Sequence, residues 1–352
     1  MRKLYFAALL SLAATFAFAG NPDRQGEAGA YELLMNPFAR SAGLGTMTTA
    51  NVAGAEAMRI NVAGLGRANA TEITVSNMQW LSGTDINMNA LGIAAPLGNG
   101  QTFGMTIAAL SFGDIPVTTE NAPEGTGSTF SPTFFHIGLG YSKTFDQKIS
   151  VGAGLRFISE AIFNVNATGF AIDAGVQYVT GERDEFKLGI SLRNIGLGMR
   201  FEGDGIADQF DEPVDQDYQI TATQRVADFE LPFQLNIGAS YDIDLDASAD
   251  NRITLVGNFT SNAFSRDNLG GGIEYSFRDL FMVRGGYNAE MGVASDADNA
   301  PLPSGVSAGV SGAIPFGEER GERGRRYIIV DYAYRTTRIY DGTHNFGLRL
   351  QL

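Results

Sequence analysis

The 352-residue chain contains no cysteine and only two histidines, carries a formal net charge of −14, and has a mean hydropathy close to zero. These values exclude a disulfide framework, leave too few histidines for a histidine metal site, and make nucleic acid an unsuitable partner. Glycine (44 residues), phenylalanine (24) and tyrosine (12) are abundant. That composition is typical of tightly packed strands bordered by aromatic girdles.

The first residues, 1–19, have the pattern of a secretory signal peptide. Arg2 and Lys3 precede an apolar core, and residues 17–19 (Ala-Phe-Ala) match a cleavage site, so we expect the mature chain to begin at Gly20. The alternative is an uncleaved anchor, although this core is shorter than the roughly 20 residues of a spanning helix. No cysteine follows it, which excludes lipoprotein anchoring, and no later stretch predicts a transmembrane helix.

Residues 20–68 differ in composition from the rest of the chain. Residues 36–68 are rich in glycine and alanine and show no alternation of apolar and polar side chains. A stretch this apolar is unsuited to a free tail, and irregular backbone is tolerated inside a barrel when protein surrounds it. We therefore predict that 20–68 form an N-terminal segment and plug; an exposed periplasmic tail is the alternative.

Residues 69–352 consist almost entirely of alternating segments separated by turn residues. Fourteen segments of the barrel type lie near 71–80, 85–96, 101–112, 132–145, 148–163, 166–180, 186–198, 229–242, 251–262, 268–278, 280–290, 304–316, 326–337 and 342–352. They predict an all-β fold, a transmembrane antiparallel β-barrel of about 14 strands with a lumenal plug. A soluble sandwich would need shorter strands, and a propeller a blade repeat that is not visible.

The last residues predict the closing strand of an outer-membrane barrel. The apolar residues of this alternation are Phe346, Leu348, Leu350 and Leu352. One face of such a strand contacts lipid and the other a polar lumen. We therefore expect the protein in the outer membrane of a Gram-negative bacterium, with outer-membrane lipid around it.

Connection lengths predict the orientation of the barrel. The longest connections are 113–131, 199–228 and 291–303, the third, seventh and eleventh in order. With both termini periplasmic, odd-numbered connections face outside, where such barrels place their long loops. The 199–228 loop is strongly acidic, but it lacks the spacing of a calcium loop and is interpreted as a solvated loop.

Eight charged residues fall on the phase that would face the lumen. They are Arg156, Asp173, Arg193, Glu274, Arg284, Asp331, Arg335 and Arg349. They could form a polar path or binding surface, or compensating ion pairs that fix the plug and the barrel. Because both signs are interspersed, the second interpretation is preferred.

Nothing in the sequence predicts an enzyme, a cofactor or a metal site. Residues 305–309 match the nucleophile-elbow pattern G-x-S-x-G around Ser307. That motif requires a strand-to-helix turn, whereas here it lies within an alternating segment, so we interpret it as a coincidence. No phosphate-binding loop or dinucleotide fingerprint occurs.

Two motifs in residues 36–68 carry a family resemblance. The first contains Arg40, Gly43 and Gly45, and the second contains Asn61, Gly64 and Leu65. In order and spacing they resemble the N-terminal signature of the PorV/PorQ family, which is related to FadL-type fatty-acid transporters. Leu44 replaces the usual methionine, and Val62 the usual proline. Shorter matches at 169–175, 192–196, 231–233 and 331–334, and the ending 344–352, extend the resemblance over the mature chain.

The resemblance implies a fourteen-stranded barrel with an N-terminal plug, in a host of the Bacteroidota type. It implies an accessory or shuttle component of the type IX protein secretion system, with the translocon or secreted cargo proteins as partners and the outer loops as binding surfaces. The alternative is a FadL-like transporter of hydrophobic small molecules, with a lipid or fatty acid as its ligand. The family subtype, the cargo, the oligomeric state and opening of the plug stay undecided at this stage.

Overall fold

Fourteen antiparallel strands close into a barrel in the computed structural model, which describes residues 20–211, 219–246, 251–292, 305–317, 326–337 and 340–352. The strands are β1 Glu72–Gln79, β2 Asn87–Gly98, β3 Gln101–Ser111, β4 Thr133–Phe145, β5 Ile149–Ile162, β6 Val165–Thr180, β7 Phe186–Gly196, β8 Gln234–Asp244, β9 Asn251–Asn262, β10 Asn268–Phe277, β11 Phe281–Glu290, β12 Gly305–Phe316, β13 Arg326–Arg335 and β14 Thr343–Gln351. Each strand pairs with its sequence neighbours, and β1 also pairs with β14. The predicted all-β barrel of about 14 strands is confirmed.

One predicted segment needs correction. The segment predicted at 229–242 becomes a barrel strand only at Gln234. Pro232 has no backbone N–H to donate, which removes a ladder hydrogen bond just before the strand begins. Residues 229 and 230 instead form isolated bridges with another part of the same connection and with the N-terminal segment.

Tight turns join the strands at one end of the barrel. Between β4 and β5, Asp146 and Gln147 have φ of 48° and 57°, and between β10 and β11, Arg278 and Asp279 have φ of 55° and 51°. Two successive residues with positive φ form the turn whose twist matches paired antiparallel strands. The long connections lie at the opposite end, which is the outer end in the predicted orientation.

Parts of the long connections are themselves folded. The short pairs are Ile115–Pro116 with Thr129–Phe130, Glu202–Gly203 with β6, and Ala207–Asp211 with Gln219–Thr223, and a 3₁₀ turn spans Asp204–Ile206. The acidic outer loop therefore contains short paired strands and a 3₁₀ turn. Residues 212–218 and 293–303 of the predicted outer loops, and the predicted signal peptide 1–19, lie outside the described residues.

The two faces of the barrel have opposite polarity. In β8, Asn236 and Ser240 are buried toward the lumen, whereas Ile237 and Tyr241 are 45% and 46% exposed on the outer face. Large exposed apolar side chains recur in this way around the barrel. Apolar groups outside and polar groups inside are the arrangement that a hydrocarbon environment requires. The barrel surface is therefore suited to lipid.

The N-terminal segment fills much of the lumen with short helical turns. These are 3₁₀ turns at Pro22–Arg24, Tyr31–Leu34, Gly54–Glu56 and Val62–Arg67, with two single-turn helices, α1 Ala39–Ala42 and α2 Ala57–Ile60. None of the helices in the described ranges is long and apolar enough to cross a membrane. Apolar side chains of α2 and its neighbours form a core with the barrel wall, including Met58, Leu65 and Ala94. We call residues 20–68 the plug.

Wall glycines allow the plug backbone to approach the strands closely. A Cβ at Gly189 of β7 would lie 2.3 Å from the carbonyl oxygen of Thr49, and one at Gly152 of β5 would lie 2.5 Å from the backbone nitrogen of Ala63. Real Cβ atoms do not approach other atoms so closely, so a side chain at either position would force the plug to shift. The glycines of the wall thus allow close contact between the strands and the plug.

Candidate functional site

The predicted lumenal charges on β5, β6 and β7 form one buried cluster. The Arg156 guanidinium lies 2.5 Å from a carboxylate oxygen of Asp173 and donates to the Asn194 side chain and to the Met58 carbonyl of the plug. Arg193 is also buried, but among the described residues it donates hydrogen bonds to neutral oxygens only, including the Leu33 carbonyl at 3.1 Å. This cluster therefore joins three strands to the plug and leaves one arginine without a carboxylate partner among the described residues.

The charges on β10, β11, β13 and β14 form a second cluster. Arg284 lies 2.8 Å from Glu274, and Arg349 lies 3.3 Å from Asp331. Arg40 of the plug approaches Glu274 to 3.9 Å, and its carbonyl accepts a hydrogen bond from Arg284. Alternating charges of this kind fix neighbouring strands and the plug relative to one another. The eighth predicted residue, Arg335, lies outside both clusters.

The first motif of the plug contributes tight packing against the wall. A Cβ on Gly43 would lie 3.0 Å from Gly309 of β12, and Gly45 has a φ of +62°, a left-handed conformation that favours glycine. Arg40 belongs to the second charge cluster. These contacts give the first motif a structural role in seating the plug.

The second motif holds the inner turns of the plug. Asn61 accepts from the Ala63 N–H at 3.2 Å and donates to the carbonyls of Thr49 at 2.9 Å and Val176 of β6 at 3.2 Å. Gly64 packs against the Val52 carbonyl, and Leu65 is fully buried in the plug core. Asn61 thus caps a 3₁₀ turn and ties two parts of the plug to the barrel.

The residues of the closing strand point away from the lumen. Phe346, Leu348 and Leu352 are exposed on the outer face, and Leu350 is half-buried. Their strand, β14, pairs with both β1 and β13. They therefore belong to the lipid-facing surface rather than to a site.

A buried acid lies where the plug meets β4 and β5. Glu32 of the plug is 3.1 Å from the ring of His136, and it faces Glu160 and Arg59. Burial raises the pKa of the Glu32 carboxyl to about 7. Within the described ranges, no group of three or more His, Cys, Asp or Glu residues is arranged to hold a metal ion.

The outer half of the lumen contains a cavity of about 360 Å³ between the plug and the wall. Its apolar side is formed by Tyr31, Leu34, Met35 and Met47 of the plug and by Trp80, which follows β1. Its polar side is formed by the amides Gln234, Asn236, Asn258, Asn262, Asn268 and Asn288 on β8 to β11. Its charged residues are Arg193 and Arg335, and none of the described residues that line it is acidic.

A chain of hydrogen bonds runs along the polar side with a fixed direction. Arg193 donates to Gln234 at 3.3 Å, Gln234 donates to Asn262 at 2.7 Å, and Asn262 donates to Asn268 at 2.8 Å. A guanidinium can only donate, so each amide must present its oxygen toward Arg193 and its nitrogen away from it. These hydrogen bonds therefore end at the Asn268 amide nitrogen, which has no partner within the part of the chain that the structure describes.

A second network lies beside the first. Asn258 donates to Thr260 at 3.0 Å, and Thr260 donates to Asn236 at 2.7 Å. The amide nitrogen of Asn236 and the amide oxygen of Asn258 are buried without a hydrogen-bond partner among the described residues. Buried polar groups are normally paired, so the unpaired groups around this cavity make it the candidate site for a ligand.

Sequence reasoning placed Arg193 and Arg335 on the lumenal phase but did not identify the cavity. The sequence does contain part of the polar lining, because Asn258, Thr260 and Asn262 alternate along β9 and lie on its lumenal face. A polar phase is expected in every barrel strand, however. Only the path of the plug determines which polar side chains border empty space.

The barrel resembles solved structures of outer-membrane channels. The "TodX deltaS2S3 mutant monoaromatic hydrocarbon channel" matches with a TM-score of 0.51 and 12% identity over 89% of this chain and 97% of that chain. The Pseudomonas putida toluene transporter TodX matches with a TM-score of 0.50 and 12% identity over 88% and 95%. A Pseudomonas aeruginosa FadL homologue has a TM-score of 0.48 and 13% identity over 89% and 95%.

The other two comparisons give no relatives: no protein-family model matches the sequence, and no curated protein is detectably similar to it. At these identities the structural likeness carries information on the fold alone. The chain accordingly shares the overall β-barrel fold of the TodX channels.

Proposed function

We propose that this protein carries small, largely apolar molecules across the outer membrane, with the lumenal cavity as their outer binding site. The observation that carries the proposal is the cavity itself, about 360 Å³ in volume and lined on the plug side by Tyr31, Met35 and Met47. Concave sites with an apolar lining and a few placed polar groups are typical of small-molecule binding. TodX, described as a toluene transporter, offers a precedent on a similar fold.

The proposed location follows from the barrel surface. An apolar outer face around a polar lumen suits a bilayer, and a signal peptide in residues 1–19 would direct the chain out of the cytoplasm. The plug occupies the axis, so a ligand needs either a movement of the plug or an opening in the wall.

The wall offers one candidate opening. Pairing between β7 and β8 ends at Arg193 opposite Gln234, and both residues line the cavity. Beyond that pair the gap is covered by the N-terminal segment, in which Ala28 bridges to Glu230 and Gly29 donates to the Glu230 carbonyl at 3.0 Å. We propose that movement of residues 28–30 away from Glu230 connects the cavity with the lipid.

A disulfide tests this route. Bridged residues lie about 5 Å apart between Cα atoms, within the range a disulfide spans, and the chain has no cysteine of its own. Uptake of toluene into vesicles containing the Ala28→Cys, Glu230→Cys variant should fall on oxidation and recover on reduction. The matched control joins Phe316→Cys to Arg326→Cys, partners on β12 and β13 at the other end of the barrel. Uptake that is unaffected by the first crosslink would exclude this route.

Binding is tested without transport. Trp80 is the only tryptophan and lines the cavity, so its fluorescence reports on occupancy. Toluene should change Trp80 emission with saturable dependence on concentration. If neither toluene nor any small apolar probe changes it, the proposed function is wrong.

A second candidate function is the type IX secretion role that the PorV/PorQ resemblance implies. Its support is the order and spacing of the plug motifs around Arg40 and Asn61, together with outer connections, including 199–228, that could face a protein partner. Gentle extraction from native membranes should then recover a translocon protein or secreted cargo with the barrel. Deletion of 199–228 should stop cargo handling while the barrel stays folded; normal secretion by that variant would exclude the role.

A further inference from the structure

We infer that the cavity selects a small organic anion with an apolar body over an uncharged hydrocarbon. The inference rests on the proposed function, because it names the class of molecule that the same site takes. It follows from the charges that line the cavity, from the direction of the hydrogen-bond chain, and from the unpaired groups on the polar side.

The charges around the cavity are unbalanced. Of the five arginines on the lumenal phase, Arg156, Arg284 and Arg349 each lie within 3.3 Å of a carboxylate. Arg193 and Arg335 form no ion pair with any of the described residues, and both line the cavity, Arg193 being buried and Arg335 half-buried. A buried cation is normally paired, so the cavity lacks a counter-charge. A negatively charged ligand would supply it.

Arg335 is the more available of the two cations. Among the described residues, its guanidinium lies against the ring of Trp80, whose centroid is 5.4 Å from the guanidinium carbon. A guanidinium held against an aromatic face keeps its planar edge free to bind a carboxylate with two parallel hydrogen bonds. The contact with Trp80 therefore holds the charged edge of the Arg335 guanidinium beside the apolar side of the cavity.

The hydrogen-bonding groups left free around the cavity are mainly donors. The unpaired donors are the amide nitrogens of Asn236 and Asn268 and the Nε atoms of Arg193 and Arg335, whereas the unpaired acceptor is the Asn258 oxygen. The three asparagines are at least 94% buried. The ligand must therefore bring more acceptors than donors, which a carboxylate does and a hydrocarbon does not.

The volume of the cavity limits the size of the apolar part of the ligand. The cavity, about 360 Å³, is roughly twice the ~150 Å³ that holds benzene in an engineered protein core. A single aromatic ring with a short acidic side chain matches this space. Its ring would pack on Tyr31, Met35 and Met47, and its carboxylate would face the donors of the opposite wall.

The test compares three probes of nearly equal shape on the purified full-length mature barrel in neutral detergent. The probes are 3-phenylpropionate, its neutral amide and propylbenzene, and Trp80 emission gives each dissociation constant. We expect the anion to bind at least tenfold more tightly than the amide, with an advantage that shrinks as salt is added. We expect Arg335→Gln to remove this advantage and Arg335→Lys to keep part of it.

Arg326→Gln is the matched control. Arg326 lies on the same strand, β13, at the other end, and does not line the cavity, so its loss should leave the preference for the anion unchanged. Heat-dependent migration on gels verifies that each variant is folded. Equal binding of all three probes, unchanged in Arg335→Gln, would overturn the inference and leave the proposed function standing. Binding of none of them would overturn both.

Discussion

Replacement of Asp173 by alanine should be among the most destabilising single changes in the barrel. The Asp173 carboxylate lies 2.5 Å from Arg156 and accepts the backbone N–H of Asn194 at 2.7 Å. Arg156 is 2% exposed, so the alanine variant leaves a buried and unpaired cation together with a buried N–H that has no acceptor. Breaking a buried pair costs about 3–5 kcal/mol, and an orphaned backbone donor about 1–3 kcal/mol. The remaining bonds of Arg156 offset part of this, which gives an expected loss of about 3–6 kcal/mol.

The assay is urea unfolding of the barrel in lipid vesicles. Asp244→Ala is the matched control, because it removes the partner of Arg183, which is 59% exposed, and surface pairs contribute at most about 1 kcal/mol. The double replacement Arg156→Met, Asp173→Leu should recover the part of the loss that comes from the unpaired cation, since it leaves no charge unpaired, but not the part that comes from the Asn194 N–H. A loss below about 1 kcal/mol for Asp173→Ala would refute the reasoning and show that water reaches this cluster freely.

Three further changes test the seating of the plug. Gly189→Ala forces a Cβ to within 2.3 Å of the Thr49 carbonyl and should cost about 1–3 kcal/mol, whereas Gly257→Ala enters open space and should be neutral in the same urea titration. Asn61→Ala removes two bonds that tie the plug together and to the wall, and should increase proteolysis of residues 20–68 in the folded barrel; unchanged protection would contradict this role. The pKa of Glu32 is raised from 4.5 in the unfolded chain to about 7 in the folded protein. Between these two pH values the folded state therefore keeps a proton that the unfolded chain has lost, and the free energy of unfolding should fall as the pH rises from 4.5 to about 7. Glu32→Gln should show a flatter pH dependence, and an identical profile would contradict the assignment.

The charge clusters and the cavity lie in the same lumen, so a change in one should affect both stability and the proposed binding. The two charge clusters hold the plug through paired groups, whereas three asparagines of the cavity, Asn236, Asn258 and Asn268, each keep one polar atom without a partner among the described residues. Asp173 also binds the residue next to Arg193, so its loss should weaken anion binding as well as the fold. The arginines that fix the plug and the arginines proposed to bind a ligand thus share one lumenal surface, and only the first group has carboxylate partners among the described residues.

The sequence alone predicted the barrel because the signal for each strand is local. A strand between lipid and a polar lumen must alternate along its own length, so every strand of the barrel carries its pattern independently of its neighbours. The tight turns at 146–147 and 278–279 are equally local. The prediction was wrong at 229–233, where Pro232 interrupts the ladder although apolar residues surround it.

Only the tertiary structure decided which lumenal residues form a site. Arg156 and Arg193 both face the lumen, yet Asp173 forms an ion pair with Arg156, whereas Arg193 lines the cavity and has only neutral partners among the described residues. Trp80 meets Arg335 although about 250 positions separate them in sequence. Periodicity specifies the face on which a side chain lies, because that depends on the backbone of its own strand. The partner of a side chain, or the empty space beside it, depends on how closure of the barrel and the path of the plug bring distant residues together.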